Sequence, residues 1–172
     1  MKALCMVAHP DDCVIFGYPY IYHHSDWSWT VGYLTYTADS ERGQELAEFW
    51  RSRGINTVFL GYEDHPRDYE NQACLTWDPM QAMNSVRQLC HSHDIVLSHS
   101  AEGDYGHVHH RLVHEAVSQH PGLVTFAAPG TGTVTFTLPD TAYSLDELPQ
   151  HRDIIAGFHV NEHTNSYQES AQ

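Results

Sequence analysis

Four times along this chain a short apolar run is followed by a stretch that reads as helix, and this alternation restricts the fold more than any single motif does. Residues 2–8, 29–37, 57–60 and 95–98 have the length and the β-branched or aromatic content of strands. Helices are predicted over 14–23 with a break at Pro19, and from 41 to about 53 with Ser40 as N-cap and Gly54 just past the end. Two more are predicted over 78–93, where Asp78 caps and Pro79 starts the first turn, and over 107–120 before Pro121-Gly122. The pattern predicts an α/β fold: a Rossmann-like, mostly parallel sheet with helices on both faces. Residues 123–127 and 133–138 read as two late strands, expected to form an antiparallel edge hairpin near the C-terminus through Gly130 and Gly132. Residues 145–158 read as a last helix, and the polar tail from about 161 as frayed. With no repeat or linker, residues 1–172 are read as one domain, against a guide of about 150 residues per domain.

Charge narrows the partners. Eight Lys and Arg face 22 Asp and Glu, a formal net charge of −14, and such a surface repels phosphate backbones and anionic headgroups. Nucleic acid and membranes are therefore not expected as partners, no run is long enough to span a bilayer, and self-association as a homo-oligomer stays open. Cys5, Cys13, Cys74 and Cys90 show no CxxC spacing and read as free thiols in a reducing compartment, hence a cytoplasmic protein. The N-terminal apolar run leads straight into a polar turn, as a core strand does and a signal peptide does not. The excess lies in histidine, with 15.

In open α/β sheets ligands gather beyond the carboxyl ends of the strands. Here strand one ends in His9-Pro10-Asp11-Asp12, strand two in Asp39-Ser40-Glu41-Arg42, and strand three in Glu63-Asp64-His65. Strand four runs into Asp104-Tyr105-Gly106-His107, then Val108-His109-His110. His9 and Asp12, three apart on a tight turn, are suitable zinc ligands, and a catalytic zinc needs a third protein ligand and an open position. His107 and His110 share a helical face, so either completes the triad, while His109 points off that face; His110 with His114, four apart, is a separate pairing for a metal. Asp11 cannot face the metal alongside Asp12, but it can reach a water there as general base. Tyr18, Tyr20, Trp27 and Trp77 suit either a sugar face or the core.

AHPDD after the first strand, the Arg-x-x-Glu of Arg42 and Glu45, and GDYGHVHH about a hundred residues later resemble the PIG-L/LmbE family of zinc-dependent N-acetylglucosamine deacetylases, over residues 2–117. The resemblance implies Zn2+ (Fe2+ or another divalent ion as substitute) on His9, Asp12 and His110, Asp11 as base, and a small N-acetylated sugar or conjugate as substrate. It implies that His107 stabilises the oxyanion or protonates the amine, best as a cation with Asp104 raising its pKa, and that Tyr105 meets the reacting carbonyl. Arg42 and Asp64 fall where the family contacts substrate. Cys13 stands where the family has Glu, HVHH replaces HPDH, and the C-terminal part is short; His159 or His163 is a candidate late polar group there, though both read first as surface. The rival classes are another amide hydrolase, a non-catalytic metal-binding module, and a nucleotide-binding domain, the last lacking GxGxxG.

Overall fold

The computed structural model describes residues 1–65, 68–158 and 163–169. Seven strands form one sheet in the order β3-β2-β1-β4-β5-β7-β6, where β1 is Lys2–Val7, β2 Ser28–Thr35, β3 Asn56–Tyr62, β4 Ile95–Ser98, β5 Leu123–Ala127, β6 Val134–Leu138 and β7 His163–Glu169. The first five are parallel, and β7 runs antiparallel to both β5 and β6. The sheet is thus the mostly parallel one predicted, with antiparallel strands at the C-terminal side.

Burial on both faces explains why β1 reads as an unbroken apolar run. Ala3, Cys5 and Val7 enter one core with Tyr33, Trp50 and Phe126, while Leu4, Met6 and Ala8 enter the other with Val86, Val96 and Val113. Helix α2 (Glu41–Arg51) packs Leu46, Phe49 and Trp50 on the first face, and Trp50 Nε1 donates to the Tyr33 hydroxyl at 2.7 Å. Helices α3 (Pro79–Cys90) and α4 (Val108–Val117) cover the second. Ser40 and Asp78 cap α2 and α3 as expected, accepting from Gly43 N and Met80 N. The predicted break at Pro19 takes another form: a π-helical turn, Cys13–Gly17, hands over to α1 (Tyr18–His23), which puts Pro19 in a first turn where its missing N–H costs nothing.

Four expectations about the C-terminal third are overturned. Strands β5 and β6 do not pair with each other, because β7 lies between them. The tail read as frayed supplies that strand, its polar residues bonding to neighbours: Asn165 Nδ2 donates to Ile15 O at 2.6 Å and the Tyr167 hydroxyl to Phe16 O at 2.7 Å. The last helix is two pieces, a 3-10 turn Leu145–Glu147 and α5 (Arg152–Phe158), with Pro149 between them. His163, read as surface, is buried in β7 with Nε2 3.0 Å from Ile15 O; His159 lies outside the described residues. Tyr18 and Tyr20 are core residues.

Candidate metal centre and active site

The site forms where the sheet rule places it, beyond the carboxyl ends of β1, β2, β3 and β4. Its frame is Asp104, which sits at φ 62, a left-handed conformation that Asp tolerates better than most non-glycine residues. The carboxylate holds three donors. Oδ1 accepts from Ser100 N at 3.1 Å, and Oδ2 lies 2.5 Å from His99 Nδ1 and 2.8 Å from His110 Nδ1. Because Ala8 N donates to His99 Nε2 at 2.9 Å, neutral His99 carries its proton on Nδ1, toward Asp104. His110 likewise gives its Nδ1 proton to Asp104, which turns the Nε2 lone pair toward His9 and Asp12.

Three donor atoms meet there. His9 Nδ1 is 3.1 Å from Asp12 Oδ2 and 3.1 Å from His110 Nε2, and His110 Nε2 is 3.2 Å from Asp12 Oδ2. Ligands of a tetrahedral zinc ion with bonds of about 2.0–2.1 Å stand about 3.3 Å apart, so this triangle fits a small divalent cation. Electrostatics agree. Burial pulls the pKa of His9 down, yet Asp12 and Asp64 outweigh it and lift it to about 10, which marks a spot where positive charge is stabilised. Burial raises the pKa of Asp12, and the neighbouring His110 and His9 take it well below the usual carboxylate range.

Asp11 points elsewhere. Arg42 donates to its Oδ1 at 2.7 Å, and burial, then Asp12, raise its pKa against the opposing pull of Arg42. Arg42 also donates to the Tyr36 hydroxyl at 2.7 Å and, through Nε, to His151 Nε2 at 3.0 Å; His151 Nδ1 is 2.6 Å from Glu45 Oε1. His151, fully buried, went unnoticed in the sequence, where it shares no motif with residues 109 positions away. Replacing His151 by Leu removes one of the three partners of Arg42. We expect a drop in kcat of about tenfold, from loosening of Asp11, with metal content unchanged and partial rescue by His151→Gln. Equal activity of the Leu variant would show that Asp11 does not depend on this chain of contacts.

Two histidines differ from their sequence reading. His107 is the N-cap of α4, its Nδ1 accepting from His109 N at 3.1 Å. Asp104 serves His99 and His110 rather than His107, whose pKa is pushed down to about 3 by burial and then by His9 and His110, so His107 is neutral, not the cation expected. With Nδ1 an acceptor, its proton is on Nε2. His109, expected to point away, is fully buried with Nδ1 3.0 Å from His9 Nε2, because the helix begins at Val108 and its first turn plugs into the site. Asp64 Oδ1 is 3.1 Å from the same His9 nitrogen, so Asp64 steadies His9 as well as lining the pocket. His114 Nδ1 lies 2.9 Å from the His99 carbonyl, so the pairing of His110 with His114 is not formed. The resulting pocket, about 240 Å³, is lined by His9, Asp11, Asp12, Arg42, Asp64, Tyr105, His107, Ile154 and Phe158. None of the four aromatics offered for a sugar lines it, although Trp77 packs on His109 with ring centres 5.3 Å apart.

At the carboxyl edge of the α/β sheet, then, His9, Asp12 and His110 form a donor triangle of the kind a divalent cation takes, with the Asp11 carboxylate beside it. The sequence profile of PIG-L, described as GlcNAc-PI de-N-acetylase, matches residues 4–120, and the chain belongs to this family. A curated relative, uncharacterized protein L374 of Acanthamoeba polyphaga mimivirus, is 25% identical over 143 residues, which cover 72% of this chain and 60% of that protein. Among solved structures the fold resembles the 4-carboxy-2-hydroxymuconate hydratase GalB of Pseudomonas putida (TM-score 0.62, 14% identity, 99% of this chain and 96% of that one). It also resembles a deacetylase of teicoplanin biosynthesis solved with teicoplanin (TM-score 0.57, 10% identity, all of both chains). The N,N'-diacetylchitobiose deacetylase of Pyrococcus horikoshii matches at TM-score 0.52 and 19% identity, over 91% of this chain and 69% of that one.

Proposed function

We propose that this protein is a divalent-metal N-deacetylase that removes the acetyl group from a small amino sugar or sugar conjugate. The observation that carries the reading is the triangle of His9 Nδ1, Asp12 Oδ2 and His110 Nε2, with the Arg42-anchored carboxylate of Asp11 beside it. Membership of the PIG-L family selects the amide, since a fold shared with a hydratase does not by itself choose the reaction.

Zinc, the metal we favour over iron, would supply Lewis acidity and lower the pKa of a water to about 7. Asp11 accepts a proton from the attacking water, with Arg42 on Oδ1 leaving the other oxygen for that role. His107, neutral and protonated at Nε2, and the Tyr105 hydroxyl donate to the oxyanion as charge develops. The departing amine takes up the proton that Asp11 holds. Arg42 and Asp64 meet the sugar hydroxyls. The four cysteines, all free thiols, fit the cytoplasmic setting expected from the sequence, and no helix of the described residues is long and apolar enough to cross a membrane.

The test is acetate release from N-acetylglucosamine and its phosphorylated and nucleotide-linked forms. Chelation should abolish it and zinc should restore it, with peptides and phosphodiesters left intact. Metal-loaded protein that spares every N-acetylated sugar yet cleaves a different amide would remove the sugar from this reading and keep the chemistry.

A further inference from the structure

Large apolar side chains are scarce on the surface, and those present are not scattered. Among the described residues seven are exposed, and three of these, Tyr105, Ile154 and Phe158, line the metal pocket; a fourth, Tyr69, stacks on His107 with ring centres 5.6 Å apart. Three exposed apolar side chains at one pocket on so acidic a protein mark a contact with something apolar.

The metal pocket has two unlike sides. Arg42, Asp11 and Asp64 offer hydrogen bonds, whereas Tyr105 and Phe158 offer ring faces, their centres 6.3 Å apart. Those same two residues also line a second cavity of about 650 Å³, within the range of small-molecule sites. Its floor is aromatic: Phe16 stacks on Phe126 at 5.4 Å and meets the edge of Phe158 at 5.7 Å, while Ala128 and Pro129 form a side. An acetyl methyl uses almost none of this space.

We propose that this cavity receives the alkyl chain of an N-acyl group longer than acetyl, which leaves the metal pocket over Tyr105 and Phe158, the two residues that line both spaces. The inference rests on the N-deacetylase reading above and extends its acyl half from acetyl to longer chains. With the amide carbon in the metal pocket, the hydroxylated amine half goes to the polar side and the acyl half to the apolar one. Water is consumed, the C–N bond breaks, and the products are a carboxylate whose chain lies in the cavity and a protonated amine. Glu102 and Asp104 in the lining disfavour an anionic group there, so the chain is neutral.

The experiment is a series of N-acylglucosamines from acetyl to decanoyl, read as kcat/KM on zinc-loaded protein, with binding of the octanoyl compound measured by calorimetry. We expect a rise of about fourfold per added methylene until the cavity is filled. Ala128→Trp, which places an indole in the cavity and replaces none of the proposed catalytic groups, should cancel the rise and weaken octanoyl binding while acetyl turnover stays as in the parent. A flat or falling series, with acetyl cleaved well, overturns the acyl cavity and leaves the deacetylase reading intact. Equal loss on acetyl and octanoyl substrates in Ala128→Trp also overturns it. Failure of the deacetylase reading looks different: no N-acylglucosamine is cleaved at any chain length.

Discussion

Asp12→Ala is expected to purify without its metal, and Asp11→Ala to keep a full equivalent and lose turnover by on the order of 10²–10⁴-fold. The two residues are adjacent, yet their surroundings separate them. Asp12 is buried with Oδ2 within 3.2 Å of a nitrogen on each of two histidines, whereas the Asp11 carboxylate is gripped by a guanidinium. Removing Asp12 deletes a corner of the donor triangle. Removing Asp11 leaves all three corners and takes away the proton acceptor. Metal per chain by mass spectrometry, together with acetate release, reads both; a metal-free Asp11→Ala with a loaded Asp12→Ala would exchange the two roles.

The largest effect away from the ligands is expected at Asp104. Its side chain binds two buried histidines at once, so Asp104→Ala leaves the Nδ1 protons of His99 and His110 without their acceptor. Leaving a buried donor without its acceptor costs about 1–3 kcal/mol for each histidine, and losing the partner of a liganding histidine weakens metal binding about 10–100-fold. Chelator competition and thermal unfolding should therefore both shift. Asp64→Asn is the comparison: Asp64 supports His9 but its side chain is about a fifth exposed, so the stability loss should be smaller. Unchanged metal affinity in Asp104→Ala would mean that His110 is held by packing alone.

Much of this site was legible because ligands at the carboxyl edge of a sheet stand next to strand ends, and strand ends can be read from apolar runs. That His9, Asp12 and His110 come together needed only that rule, the three-residue spacing of the turn and a family resemblance. Asp104 was visible as a polar neighbour but was assigned to the wrong histidine, because nothing in the spacing reveals a left-handed residue that swings its carboxylate toward His99. His109 was misjudged by one helical position: the helix starts after His107, not at it, which changes the face each residue presents. His151 was out of reach for another reason. Its link to Arg42 spans 109 positions, and long-range partners leave no periodic trace. Strand β7 escaped because polar residues rarely suggest a strand, and here they bond to the backbone of the turn between β1 and α1.

The position of β7 has a consequence for how the chain is made. In the order β5-β7-β6, the last described strand in sequence is an interior one, so during synthesis β6 emerges with no partner and waits for residues 163–169 before it can join the sheet. Until then the open side of β5 and the whole of β6 are unpaired edges that a second nascent chain can bind. Removing β7 by truncation would not trim the rim of the sheet but cut it in two, detaching β6 and baring Phe126 at the heart of one core. Solubility of such a shortened chain, more than its activity, would record the loss.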